Sequence, residues 1–256
     1  MAKLRAAVLA AGRGVRMGGR LPKTLIPVGD HEPLLHYILA GLRRAGVDDL
    51  LVVTGFEPAQ VQSFVDEHWS GGEVTYVFNA RYASWGNFHT VRMALDQSPG
   101  MNVMFVNSDV IVHPDVYARA ATNSGDLVLA VQKRPPHLLN EEDMRVKLQR
   151  DQVQAIGKDL SRAHSHGEFA GVSLVKPAAA REYLQYATDL EWRAATTLYY
   201  EDVYGAVIPR VDTRAAWVGP DEYAEVDEPS DLDSAAHVIE TNASVWEGAE
   251  APATVA

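Results

Sequence analysis

From Gly12 to Lys23 the chain reads GRGVRMGGRLPK, a spacing of glycines and cations suited to one kind of ligand. Gly12, Gly14, Gly18 and Gly19 let backbone amides turn inward and approach a ligand closely, while Arg13, Arg16, Arg20 and Lys23 supply positive charge. Backbone donors with cations suit a polyphosphate. A P-loop is excluded, because Pro22 stands before Lys23-Thr24 where its second glycine should be. A dinucleotide fingerprint is excluded too, because Met17, two further glycines, Pro22 and Pro27 follow Gly12-x-Gly14 and keep the segment an open loop. Asp109 closes the apolar run Met101 to Val106, which puts a carboxylate at the end of a buried strand. A hard cation such as Mg²⁺ takes one or two carboxylates together with phosphate oxygens and water. Asp227, in YAEVDEPSDLD, follows another short strand and is the best second carboxylate. Glu225 is expected on the opposite face of that strand, and Asp231 and Asp233 in the first turns of a helix, where acids favour the dipole.

Four further groups carry polar side chains. Asn87, in the loop Tyr82 to Val91 that opens a helix, offers both a donor and an acceptor, as base recognition needs, and is equally a helix cap. Arg145 and Lys147 share one face of a strand and suit a phosphate, with Glu168 expected in the same pocket. His164 and His166 share a face without a third ligand and read as loop residues. The segment Glu191 to Asp202 combines Trp192, Tyr199 and Tyr200 with Glu201 and Asp202, aromatic faces and carboxylates of the kind a choline-like or amine-bearing ligand requires. The competing reading is a core aromatic patch beside an acidic helix N-terminus.

Leu9-Ala-Ala-Gly-Arg-Gly-x-Arg-Met17, followed by Leu21-Pro-Lys-Thr-Leu-Ile-Pro-Val28, resembles the signature of the nucleotidyltransferases, which move a nucleoside monophosphate from an NTP to a phosphate-bearing acceptor. The segments Asp143 to Leu148, Gly157-Lys158, Gly167 to Gly171 and Tyr199-Tyr-Glu-Asp202 are similar to those of the small cytidylyltransferases for phosphocholine, aminoethylphosphonate or inositol phosphate. Gly86 and Thr90 depart from that group's N-N-x-x-S-L element, which leaves the base open.

The resemblance implies an NTP, CTP first, held by Leu9, Ala10, Ala11, Gly12, Arg13, Gly14, Lys23, Asn87 and Ser108. It implies Mg²⁺ on Asp109 and Asp227, and catalytic roles for Arg13, Lys23 and Lys147. The acceptor would lie against Arg145, Lys147, Glu168, Tyr200, Glu201 and Asp202. The implied reaction is CMP transfer to a phosphocholine- or aminoethylphosphonate-like acceptor with release of pyrophosphate. A sugar-1-phosphate or inositol-1-phosphate enzyme using CTP, UTP, dTTP or GTP is the near alternative; a regulatory protein that binds the nucleotide without turnover is the distant one.

The elements that must position these residues alternate. Strands at Leu4 to Ala10, Leu50 to Thr54, Val74 to Phe78, Met101 to Val106 and Asp126 to Val131 are separated by helices at Pro33 to Ala45, Glu57 to His68, Phe88 to Leu95 and Pro114 to Ala121. That order predicts a single doubly wound, mostly parallel mixed sheet, Rossmann-like, with a small acceptor-binding β/α insertion. A hairpin at Met144 to Leu148 and Val153 to Ile156, a strand at Phe169 to Val175 and a helix at Pro177 to Tyr186 follow. A helix at Glu201 to Ile208, strands at Val211 to Trp217 and Tyr223 to Val226, and a helix at Ser230 to Glu240 complete the pattern. One domain over 1–240 is expected, nucleotide-binding to about 131 and acceptor-binding from 132, with 241–256 a disordered tail. The 256 residues are 47% hydrophobic, and a net charge of -11 argues against a nucleic-acid surface. No cysteine, no apolar leader and no membrane-length stretch lead to the expectation of a cytoplasmic protein without a membrane partner, with a homodimer left open.

Overall fold

A computed structural model describes residues 3–246 of the chain. Strand β1 (Leu4–Ala10) is built from small and branched apolar residues buried from Ala6 onward, and it stops at the glycine loop. After the loop, α1 (Leu34–Arg44) buries Leu35, Ile38, Leu39 and Leu42 as one stripe and is followed by Gly46 at φ 78. Then come β2 (Leu50–Thr54), α2 (Pro58–His68), β3 (Val74–Phe78), α3 (Phe88–Asp96) and β4 (Asn102–Asn107). A three-residue strand that the sequence pattern did not show, β5 (Val110–Val112), precedes α4 (Pro114–Thr122). The second half comprises β6 (Leu127–Lys133), β7 (Arg145–Gln149), β8 (Gln152–Gly157), β9 (Gly167–Val175), α5 (Pro177–Trp192) and α6 (Tyr200–Val207). The chain continues through β10 (Thr213–Val218), β11 (Tyr223–Glu225), α7 (Leu232–Thr241) and α8 (Ala243–Trp246).

Among the described residues the main sheet has nine strands in the order β3-β2-β1-β4-β9-β6-β10-β8-β7. The first four are parallel, and helices cover both faces, α1, α2 and α4 on one and α3, α5 and α6 on the other. The doubly wound expectation holds for that half. Beyond it β9 runs antiparallel to both β4 and β6, and β7 pairs with β8 and also with β9, so the far end curls into a partly closed barrel. The mixed sheet expected is thus present, but at this end its pairings are antiparallel save that of β6 with β10, which corrects the expectation that it is mostly parallel. The physical reason is the edge: pairing Arg145↔Glu168 and Val146↔Gly167 gives backbone partners to a strand that would otherwise expose them.

A separate ribbon matters more for chemistry. β11 pairs antiparallel with β5, with Glu225 opposite Val110, and the Val226 amide donates to the Asp109 carbonyl at 2.8 Å. Asp109 and Asp227, far apart in sequence, are thereby brought to one place. The region after residue 240 also needs correction: Ala243–Trp246 is helical, and Trp246 is buried with its ring 5.4 Å from that of Tyr37 in an edge-to-face contact. Residues 247–256 lie outside the described residues. Trp246→Ala should therefore cost on the order of 3 kcal/mol in a denaturant titration. An unchanged midpoint would show that this helix does not cover the core.

Candidate active site

The glycine loop folds on itself before it meets anything else. The amides of Met17 and Gly19 donate to the Gly14 carbonyl at 3.0 and 3.1 Å, and that of Gly18 to Val15. Gly18 and Gly19 are therefore spent on the turn, leaving the amides of Gly12, Arg13 and Gly14 without a backbone partner among the described residues. Gly14, at φ +64, lies against Lys23, and a Cβ there would come within 2.9 Å of the Lys23 Cβ. The loop thus presses Lys23 toward the ends of β4 and β11. Arg13 is placed differently: its guanidinium lies 5.1 Å from the Phe56 ring and donates to the Gly19 carbonyl at 3.1 Å, so it braces the loop.

Lys23 Nζ donates to Asp109 Oδ2 at 2.7 Å and to Asp227 Oδ1 at 2.5 Å. Glu225 joins them, the three carboxylates offering oxygens within 4.8 Å of one another. Glu225 is thus not on the opposite face, because it and Asp227 are two residues apart and point the same way, while the intervening Val226 is buried in the core. Burial opposes the charge on Lys23, yet Asp109 and Asp227 outweigh it and hold the ammonium pKa above its ordinary value. Burial likewise opposes the Asp227 charge, but Lys23 and Arg16 prevail and keep that carboxyl below the usual range. Glu225 goes the other way: although its side chain reaches the surface, desolvation and then the neighbouring charges of Asp109 and Asp227 hold its carboxyl above the usual range. Asp231 does more than favour a helix dipole: its Oδ2 accepts from the amides of Asp227 and Glu228, both at 2.8 Å, and fixes the Asp227 backbone.

Two cavities flank this cluster. The first, ≈ 180 Å³, is walled by Gly12, Lys23, Trp85, Asn87, Asn107 and Asp109. Leu9, Ala11 and Ser108 line it as well, whereas Ala10 is turned into the core on the other face of the sheet. Asn87 does not cap its own helix, for its Oδ1 accepts from the Tyr200 amide at 2.8 Å. Gly86, which departs from the cytidylyltransferase element, has a local cause: a Cβ there would lie 1.9 Å from the Leu198 carbonyl oxygen. Thr90 is buried and accepts from Asn79 Nδ2 at 3.1 Å.

The second cavity, ≈ 480 Å³, is lined by Arg16, Glu142, Asp143, Glu168, Glu225 and Asp227 among others. Glu168 is buried there against Arg134 at 3.1 Å, and burial, with Asp143 adding and Arg134 opposing, lifts its pKa to about 7. The other expected acceptor residues are elsewhere. Arg145 is buried and donates to the carbonyls of Leu160, at 2.7 Å, and Asn140, since a buried guanidinium must find acceptors; it braces loops rather than facing the cavity. Lys147 is exposed on β7 and lines neither cavity. Tyr200 is fully buried and Glu201 nearly so, both in the core, while Asp202 accepts from the Tyr199 amide at 2.8 Å as a helix cap. Trp192 and Tyr199 point to solvent, so no aromatic box forms. His166 Nδ1 accepts from the Leu148 amide, in keeping with a structural role.

Over residues 6–170 the sequence matches the MobA-like NTP transferase domain, well over half of the chain. The chain belongs to that family. Among relatives of this NTP transferase, the CMP-5'-(3-aminopropyl)phosphonate synthase of Streptomyces rubellomurinus is 35% identical over 124 residues, covering 46% of the chain and 19% of that protein. The choline-phosphate cytidylyltransferase of Streptococcus pneumoniae is 26% identical over 124 residues, covering 47% of the chain and 51% of that protein. The match thus spans at most about half of the length of either. In fold, the chain is similar to CTP:phosphocholine cytidylyltransferase from Streptococcus pneumoniae, with a TM-score of 0.74 at 19% identity over 90% of this chain and 96% of that one. It is equally similar to the inositol-1-phosphate CTP transferase from T. maritima, with a TM-score of 0.75 at 19% identity over 94% and 98%.

Sequence reasoning about this NTP transferase missed Glu225, Asn107 and Arg134 as site residues, and read Arg16 as a cation of the glycine loop without its place beside Asp227. Glu225 had a signal, its two-residue spacing from Asp227; Asn107 had another, directly preceding Ser108-Asp109. Arg134 had none, since its pairing with Glu168 depends on β6 lying beside β9.

Glu201 offers a test of how the core at the start of α6 is built. Burial lifts its carboxyl from 4.5 to about 7, and its Oε2 is buried without a partner among the described residues. The folded state therefore binds the proton more tightly than the unfolded chain, and stability falls as pH rises from about 4.5 through 7. Between pH 5 and 8 the wild type should lose up to about 3 kcal/mol more stability than Glu201→Gln. Parallel pH profiles for the two proteins would contradict this burial.

Proposed function

We propose that the chain transfers CMP from CTP to a small acceptor bearing a phosphate or phosphonate together with an amine, releasing pyrophosphate. The observation that carries this reading is the carboxylate cluster standing between two cavities, Lys23 and Asp109 in the wall of one and Glu225 and Asp227 in the wall of the other. A two-substrate transfer needs that arrangement. The amides of Gly12, Arg13 and Gly14, unpaired among the described residues, and the ammonium of Lys23 hold the triphosphate where Gly12 and Lys23 line the first cavity. Arg16 meets the acceptor's phosphate or phosphonate in the second, and Glu142, Asp143 and Glu168 favour its ammonium group over an uncharged polyol. The relatives named for an aminopropylphosphonate and for choline-phosphate support that chemistry.

The donor set also fits a divalent cation. Three carboxylates converge, and Asp109 Oδ1 is buried with no hydrogen-bond partner among the described residues. Asp109 and Asp227 would hold Mg²⁺, which supplies charge neutralisation at the phosphates. An acceptor oxygen forms the new bond to the α-phosphorus, the bond from that phosphorus to the bridging oxygen breaks, and pyrophosphate departs with its electron pair. Lys23 stabilises that departing charge, and no covalent intermediate on the protein is needed.

Pyrophosphate release should therefore require both CTP and an acceptor, with aminoalkylphosphonate or phosphocholine preferred to inositol-1-phosphate and glucose-1-phosphate. Asp109→Asn, Asp227→Asn and Lys23→Ala should each lower turnover at least about a thousandfold while remaining folded. Retention of more than about a tenth of turnover in a folded variant would remove that residue from the mechanism. A preference for a polyol or sugar phosphate would overturn the cationic acceptor and leave the transfer chemistry standing.

A further inference from the structure

Tyr200 is the one residue of the expected acceptor set that the fold buries completely, and its polar atoms go to the other cavity. Its backbone amide donates to Asn87 Oδ1 at 2.8 Å, and its hydroxyl donates to Asn107 Oδ1 at 2.8 Å. Asn87 precedes α3 and Asn107 ends β4, so Tyr200 at the start of α6 ties together two separate walls of the nucleotide cavity. It has no freedom to move away: its ring packs edge-on against Phe169 and Tyr204, with centroids 6.1 and 5.2 Å apart. A backbone N–H only donates, so the Asn87 atom facing it is the carbonyl oxygen, and the amide nitrogen is left for the cavity.

On this basis we propose that Tyr200 is a positioning residue that locks the Asn87 side chain as a hydrogen-bond donor, and that this donor selects cytosine over uracil. The inference rests on the nucleotidyltransferase reading above and deepens it. Asn87 in isolation is indifferent, because its amide flips between donor and acceptor. The two pyrimidines differ at N3, a bare acceptor in cytosine and an N–H donor in uracil, so a fixed donor pairs with the first and faces the second donor to donor. The Tyr200 hydroxyl bond to the central strand keeps the amide in register, so that the selection does not relax.

The test is the ratio of kcat/KM for CTP and UTP, read by pyrophosphate release. In Asn87→Asp one carboxylate oxygen still accepts from the Tyr200 amide while the other turns the cavity-facing donor into an acceptor, so the CTP:UTP ratio should fall about tenfold or more. Tyr200→Phe keeps the ring packing and loses only the hydroxyl bond, and should narrow the ratio in the same direction. Tyr204→Phe is the control: it also loses a buried hydroxyl contact, to Ser173 at 2.7 Å, and should leave the ratio unchanged. A ratio within about twofold of wild type in Asn87→Asp, or equal effects of the Tyr200 and Tyr204 variants, would overturn the proposal, as would wild-type preference for UTP. If the wild type turned over no NTP, the transfer reading would fall; calorimetric binding of CTP and UTP to wild type and Asn87→Asp would then decide this one separately.

Discussion

Lys23 held between Asp109 and Asp227 is the contact on which the rest depends. Three carboxylates within 4.8 Å repel one another, and in a half-buried site that repulsion is poorly screened. The ammonium offsets it, donating to Asp109 at 2.7 Å and to Asp227 at 2.5 Å. The lysine reaches this position because Gly14 lets the loop backbone lie directly against it. Local glycine geometry at the start of the chain thus sets the electrostatics of residues near its end.

The curled end of the sheet follows the same economy. β9 is inserted antiparallel between β4 and β6, and its Glu168 comes beside the loops that β7 and β8 carry. A flat parallel sheet would have left that carboxylate at an open edge. Closure instead makes a walled acidic cavity next to the cluster, with Arg134 pinning Glu168 inside it. The first cavity lies against the parallel half, the second against the curled half, and the β5–β11 ribbon carries the carboxylates that stand between them.

Much of this was legible before any coordinates. The glycine loop, Lys23, Asp109 and Asp227 stand out because each follows or interrupts a strongly patterned apolar strand, and such punctuation survives folding. The first four parallel strands were legible for the same reason. Tyr200, Glu201 and Arg145 were misread because composition cannot say whether an aromatic or charged group turns inward: Arg145 finds two carbonyls, Tyr200 finds two asparagines, and both are buried. Those partners come from segments distant in sequence. Strand pairing was hidden likewise, since periodicity shows that β7 is a strand without showing that it closes on β9.

The account turns on whether the acidic cluster is built for a cation, and the thermal midpoint of Lys23→Ala with and without magnesium asks that directly. In a chelating buffer the variant should melt well below the wild type, because the three carboxylates lose the ammonium that offsets them. Added Mg²⁺ should raise the variant's midpoint by more than the wild type's, since the ion no longer competes with a lysine for the same oxygens. A variant that melts like the wild type in chelator, and responds to Mg²⁺ no more strongly, would contradict the view that these residues form one charge-balanced metal centre.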